Sequence, residues 1–392
     1  MMILHLAFKN IIGNGWRSLV NVLILSIVLI AMVWMQAMYY SWIKVAEKQH
    51  VAWEYGSGMF RVSSYDPFDA FSWDSSFAPI PQAFKQQIEY GKVVPILMTP
   101  ATIYPAGRMM PAVVKGIPNQ QSLLSFPSGG FVSENPFAIP AMIGTSMAKN
   151  ARLKVGDVFT VRIKDSSGAF NALDIEIVKI LSIPVPSVDI GTLWVDLSSL
   201  QEIKALPDAA SYLILADKSQ NTMEAPGFRL IPKDEYFADL YQIRESERAQ
   251  EYIMYSLLLF LAMIAVFDSQ ALAVFKRRRE IGTLSALGLT KNKIALLFTT
   301  EGVLYMVFAA ISTAVLGMPI FWYFTKFGYR LPSGYEDFGM PGFSEPIYFS
   351  YPITIIMGTL MFLLALTAIV SWLPTRKIAS LKPTDALRGK VR

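Results

Sequence analysis

The sequence predicts a membrane protein in which four transmembrane α-helices carry one large α+β extracytoplasmic domain, inserted between helices one and two. Three observations predict it. The 392 residues are 53% hydrophobic and only 17% charged, too apolar for an ordinary soluble chain of this length. Four stretches, roughly residues 19–43, 252–275, 294–323 and 353–373, meet the requirement of about 20 mainly apolar residues for crossing a bilayer. Most of the remainder is one block, about residues 45–250, whose patterning is that of short strands and not of spanning helices.

Charge orients the spans. Lys9 and Arg17 precede the first; Lys276, Arg277, Arg278, Arg279, Lys291 and Lys293 fall between the second and third; Arg376, Lys377, Lys382, Arg388, Lys390 and Arg392 follow the fourth. The positive-inside rule places all three regions in the cytoplasm. The block after the first span carries mixed charge, and the loop after the third sets Lys326 and Arg330 against Glu336, Asp337 and Glu345, so both belong outside. Four spans close that topology without contradiction, and they make the protein a multi-pass component of the cytoplasmic (inner) membrane. The same distribution argues against nucleic acid as the partner of the +5 net charge.

Several functions lose their parts at once. Cysteine is absent, which removes disulfides and thiolate metal sites. His5 and His50 are far apart and outside any ligand spacing, so neither catalytic zinc nor Ser/His/Asp hydrolysis can be assembled. No G-x-x-x-x-G-K-[ST] is present, so the chain cannot cradle a nucleotide in the P-loop manner. No metal or catalytic residue is expected, and no internal repeat is visible.

In chain order, residues 1–18 are a cytoplasmic N-terminus in which Leu4, Phe8 and Ile12 recur every four residues. They suit either an amphipathic helix along the inner interface or a cytoplasmic extension of the first span. The apolar run at 19–44 is too long for a signal-peptide core and has no small-residue cleavage site after it, so it stays as an anchor. No Gly or Pro follows until Gly56, and none interrupts the stretch from Lys233 to Gly282, so both helices should continue outward as stalks of the 45–250 domain. Arg244, Glu247, Arg248 and Glu251, of opposite sign at spacing three, support an exposed helix there. The second span is 251–275, a cytoplasmic loop 276–293, the third span 294–325, an outer loop 326–351, the fourth span 352–373 and a cytoplasmic tail 374–392. Gly317 and Pro319 in the third span read as a bend near the outer surface.

Within the block, β-rich runs are expected at 60–62, 93–98, 113–114, 158–163, 175–180, 193–195 and 212–215, divided by Gly, Pro, Asn and Ser. Helices are expected at 80–89, 145–153 and 197–206. The mixture indicates an α+β domain, with a division into two subdomains left open.

The most informative segment is Lys276-Arg277-Arg278-Arg279-Glu280-Ile281-Gly282-Thr283-Leu284-Ser285-Ala286-Leu287-Gly288. It reads as a short basic helix with Ile281, Leu284 and Leu287 at spacing three, closed by Gly288. Such a helix can present an apolar knob with charged flanks to a cytoplasmic partner; the plain alternative is an ordinary positive-inside loop. The pattern R-R-x-E-I-G-x-L-x-A-L-G resembles the signature of the MacB/LolC/FtsX-like (type VII) ABC transporter permeases. The stretch Ile143-Gly144-Thr145 through Leu153-Lys154-Val155-Gly156-Asp157, the ending Pro374-Thr375-Arg376 through Ala386-Leu387-Arg388, and the opening Leu6-Ala7-Phe8-Lys9-Asn10-Ile11 resemble that family in the same order.

The resemblance implies a permease subunit and no enzyme, with ATP and magnesium bound by a separate ATPase and no cofactor bound by this chain. Arg277, Arg278, Arg279, Glu280, Ile281, Gly282, Leu284, Leu287 and Gly288 would then form the coupling helix that seats in the ATPase. It implies a dimer with a second copy or a paralogue, and mechanotransmission in place of a substrate conduit. Lipoprotein or other hydrophobic substrate release leads, since the layout lacks the fused ATPase of the MacB form. Peptide or drug efflux with a periplasmic adaptor, or FtsX-like regulation of a cell-wall enzyme, are the alternatives, and an extracytoplasmic carrier or adaptor is an expected partner.

Other residues carry narrower expectations. Asp268 in the second span and Glu301 in the third are intramembrane carboxylates, functional candidates by default. A hydrogen-bonding role at a helix interface is favoured over a proton relay, with Thr299 and Thr300 sharing the bonds of Glu301. At the outer end of the first span, Trp34, Tyr39, Tyr40 and Trp42 read as an interfacial belt. Met35, Met38, Tyr39 and Trp42 are also candidates for an adaptable lipid, substrate or dimer cleft. Phe68, Phe71, Trp73 and Phe77 read as packing under a long loop or as a docking surface.

Overall fold

A computed structural model describes residues 2–13, 15–67, 69–133, 135–217, 223–277, 280–283, 288–330 and 346–379. In chain order the helices are α1 (Met2–Gly13), α2 (Trp16–His50), α3 (Gln82–Glu89), α4 (Thr145–Ala151), α5 (Pro186–Asp189), α6 (Leu197–Ile203), α7 (Lys233–Tyr236), α8 (Ala238–Lys276), α9 (Lys291–Phe327) and α10 (Ile353–Ala379). The chain divides into two compact units: one of apolar helices, drawn from Met1–Ser41, Gln242–Tyr329 and the segment from Ile347 onward, and one centred on Trp42–Tyr241.

In the first unit, α2, α8, α9 and α10 are long and apolar enough to cross a membrane. Leu25, Val28, Leu29, Met32 and Val33 of α2, at helical spacing, pack on Ala262 and Val266 of α8, Tyr305, Met306 and Ala309 of α9 and Leu363 of α10. Small residues let backbones approach. A Cβ on Gly302 would lie 1.9 Å from Ser371 Oγ, and one on Gly317 would lie 3.2 Å from Ile30 Cγ1. Gly317 and Pro319 lie inside α9, which continues to Phe327, and Gly317 is closely packed. Large apolar side chains such as Ile253, Leu257, Phe260 and Leu261 face outward, as lipid contact requires. In α1, Ala7 and Ile11 are buried and the Leu4, Phe8 and Ile12 stripe is exposed, which suits the interfacial reading.

The second unit holds β1 (Gly58–Val62), β2 (Ala78–Pro79), β3 (Val93–Ile103), β4 (Met110–Ile117), β5 (Ile139–Gly144), β6 (Val158–Lys164), β7 (Phe170–Leu181), β8 (Thr192–Asp196), β9 (Ala209–Ala210), β10 (Tyr212–Leu215) and β11 (Phe228–Ile231). Every expected run is a strand, and α3, α4 and α6 fall on the expected helices. Nine strands join in the order β11-β1-β10-β3-β4-β8-β5-β7-β6, and β6 returns to pair with β3. Six of them, β3-β4-β8-β5-β7-β6, therefore close into a ring, while β10, β1 and β11 extend from β3 as an open antiparallel wing. The 11-residue β3 serves both: Val93–Ile96 pair with β10, and Ala101–Ile103 pair with β6. Closure removes strand edges. Along β6 the burial alternates with period two, placing Phe159, Val161 and Ile163 inside with Leu97, Ile143, Ile177 and Leu200. Among the described residues the unit is built on this one large sheet, with β2 and β9 as a separate pair and three apolar clusters around it.

Where the chain leaves α2, a π-helical turn at Val51–Tyr55 carries Glu54 into a buried polar cluster. Glu54 accepts from Lys115 Nζ at 3.0 Å, Tyr236 OH at 2.8 Å and Ser187 Oγ at 3.0 Å. The cluster binds the end of α2, β4, α5 and α7 together. The helix expected to run unbroken from Lys233 to Gly282 is interrupted at Phe237 (φ −92°, ψ 9°), whose ring is buried against Tyr55, Tyr236 and His50, and α8 ends at Lys276. On α8, Arg248 Nη1 pairs with Glu245 Oε1 at 2.5 Å. Lys233 and Tyr241 both reach Glu47 of α2, at 2.9 Å each.

Candidate functional site

The loop between α8 and α9 is pinned to the helix bundle from both ends. Arg277, the first residue after α8, donates from Nη1 to Glu301 Oε1 at 2.9 Å and from Nε to Glu280 Oε2 at 2.7 Å, and its guanidinium lies 5.1 Å from the Phe298 ring centre. Glu301, 1% exposed inside α9, also accepts from Asn10 Nδ2 of α1 at 2.5 Å. A buried carboxylate is costly unless paired and hydrogen-bonded. Here α1, the loop and α9 share the pairing, so movement of any one strains the other two.

The apolar anchor is Ile281, 6% exposed, packed on Ile294 and Phe298 with Leu289 alongside. Ile281 therefore points into the bundle, correcting its expected place on an outward knob: the ion pair of Arg277 sets a register that turns it toward Phe298. Gly282 is buried beside it, while Glu280, Thr283, Gly288, Lys291 and Lys293 are exposed. Gly288 adopts φ +92°, a region that disfavours side chains, and a Cβ there would meet open space. Arg278, Arg279, Leu284 and Leu287 lie outside the described residues.

The other expected residues separate. Asp268 is exposed on α8 and has no partner among the described residues, which corrects its expected role at a helix interface. Ala262, Val266 and Gln270, four apart, form the buried face, and Asp268 sits two residues, or about 200°, from Val266. Thr299 and Thr300 bond back to the carbonyls of Ala295 and Leu296, at 3.0 and 2.7 Å, and not to Glu301. Trp42 is 5% exposed and so lacks the accessible face of a cleft residue, whereas Met35, Met38 and Tyr39 are half-buried. Trp34 packs edge-on or tilted against Phe324, Tyr329 and Phe349 in place of a lipid-facing belt. Phe71 is exposed, Trp73 packs on Tyr65, and Phe68 lies outside the described residues. Sequence reasoning missed Asn10; its signal was an amide inside an otherwise apolar N-terminal helix. Among the described residues no group of three or more His, Asp or Glu side chains could hold a metal.

Residues 252–383, which include the last three apolar helices and the pinned loop, match the family model of the FtsX-like permease C-terminal domain. Over these residues the chain is similar to the FtsX-like permeases. No curated protein matches the chain. Among solved structures, the extracellular domain of the noncanonic ABC-type transporter YknZ from Gram-positive bacteria is similar over 45% of this chain and 98% of that one, at 13% identity and a TM-score of 0.26. Among its described residues, the loop is tied by side-chain contacts to α1 and α9.

Proposed function

We propose that the permease couples ATP hydrolysis by a separate cytoplasmic ATPase to movement of the sheet unit on the other side of the membrane, for release of a lipoprotein or another hydrophobic substrate. The observation that carries this reading is the Arg277–Glu301–Asn10 node. It joins the loop that carries the exposed Glu280, Thr283 and Gly288 to α1 and α9, so force applied to the loop reaches the helices directly. The stiff elements suit it: α2 runs unbroken over 35 residues and α8 over 39, roughly 50–60 Å each at about 1.5 Å per residue, nearly twice the hydrocarbon thickness. Extracting an acyl chain costs about 0.8 kcal/mol per CH₂, which explains the need for an ATPase. The permease acts in this reading as a dimer, with ATP and magnesium confined to the ATPase.

The test is co-purification of the permease with its ATPase. Gly288→Trp, which strains a positive-φ position in open space, and Glu280→Arg, which inverts the exposed charge, should each reduce ATPase retention and ATP turnover. Stoichiometric retention with full turnover in both variants would remove the loop from coupling.

A further inference from the structure

Between the first turns of α2 and the last turns of α8 lies a cavity of about 390 Å³, within the size range of ligand clefts. Its chemistry is graded. Arg17 and Lys276 line one end, at the limits of the apolar runs of α2 and α8, which is headgroup depth. Val20, Ile24 and Leu272 line the body, along turns that belong to the apolar runs and so lie at acyl depth.

Among the described residues the two cations are free. Neither Arg17 nor Lys276 has an ion-pair partner among the described residues, and no carboxylate lines the cavity. The third cation in its wall, Arg277, is already committed to Glu280 and Glu301. The cavity is also held open by structure: Asn21 of α2 donates to Ser269 Oγ of α8 across its wall, fixing the separation of the two helices. A soluble anion would meet the cations but leave the apolar body wet, and a neutral lipid would fill the body but leave two cations facing it.

We propose that this cleft holds one anionic phospholipid of the leaflet adjoining the α8–α9 loop, with its phosphate between Arg17 and Lys276 and an acyl chain along Val20, Ile24 and Leu272. Basic pockets between transmembrane helices have this recognition chemistry. The proposal rests on α2 and α8 crossing a bilayer and is independent of ATPase docking.

Trp16, 76% exposed and in the cavity wall, supplies the probe. The full chain is placed in nanodiscs of phosphatidylcholine with a minor fraction of phosphatidylglycerol, either lipid carrying brominated acyl chains. The Trp16 signal is the fluorescence difference between the parent and Trp16→Phe, which removes the other seven tryptophans from the comparison. Brominated phosphatidylglycerol should quench it at mole fractions where brominated phosphatidylcholine does not. Arg17→Gln with Lys276→Gln should lower that preference about 30-fold, the loss expected for two cations at headgroup depth. Ala265→Phe, or Val20→Phe if the first does not fold, fills the cavity and should abolish the quenching with both cations intact.

A preference that survives the double glutamine variant within twofold overturns the proposal. So does quenching that survives both filled-cavity variants, because it would reveal loose accumulation of anionic lipid at a basic surface. ATPase retention by the parent is measured in the same preparations. Its absence alongside intact quenching would count against the coupling reading and leave the lipid site standing.

Discussion

Replacing Glu54 by alanine removes the acceptor shared by Lys115, Tyr236 and Ser187 and strands the Lys115 ammonium, whose side chain is 9% exposed. Breaking a buried pair from one side costs about 3–5 kcal/mol. Proton linkage gives an independent figure. Burial alone would raise the Glu54 carboxyl, but the Lys115 charge and the hydrogen bonds from Tyr236 and Lys115 outweigh it and hold the pKa at about 2, against an ordinary 4.5. At about 1.4 kcal/mol per pKa unit, that difference is worth roughly 3 kcal/mol. The folded pKa is depressed, so this stabilisation is complete above about pH 4.5 and is lost as the pH falls toward 2. In thermal unfolding of the purified chain in detergent, a loss of that size should lower the transition of the sheet unit by about 6–12 °C for a unit of this length. Glu54→Leu combined with Lys115→Met, which replaces the pair by apolar groups of similar size, should recover most of the loss. A fall under about 2 °C for Glu54→Ala, or a double variant as unstable as the sum of its parts, refutes the reasoning.

Other outcomes follow from the same contacts. Glu301→Leu should release Arg277 and free the loop, raising the rate of tryptic cleavage at Arg277 at least about tenfold by the loss of a buried pair; an unchanged cleavage pattern would mean that the apolar anchor at Ile281 holds the loop alone. Replacing Glu245 and Ser246 by a Gly-Gly pair weakens α8 by about 1 kcal/mol per glycine. Substrate release should fall while assembly and ATP hydrolysis persist, and undiminished release would show that α8 carries no force. A single cysteine at Ser166 should react with an impermeant maleimide in spheroplasts and one at Asn292 should not, and the reverse pattern would invert the proposed topology.

Much of this protein is legible along the chain because hydropathy and side-chain period are local quantities. The four apolar runs each became a helix, and the runs at 158–163 and 175–180 became β6 and β7. The loop motif was legible too, since Glu280, Gly282 and Gly288 sit at fixed spacing in one short segment. The facing of individual residues was not legible. Asp268 was expected inside and lies outside because the buried stripe of α8 runs through Val266 and Gln270, a register set by what α8 packs against. Ile281 was expected outside and lies inside because Arg277 is drawn to a carboxylate on another helix.

By itself the sequence determined how many helices can cross a membrane, where the strands lie and which loop is basic, since each depends on a window of residues no wider than one element. Only the tertiary structure decided that β3 would close a ring with β6 while still serving the open wing, and that Glu54 would find Lys115. It alone brought Asn10 to Glu301, 291 residues away in the chain. A buried charge takes whatever partner the packed helices bring within about 3 Å, and that distance is a property of the fold, encoded in no local window.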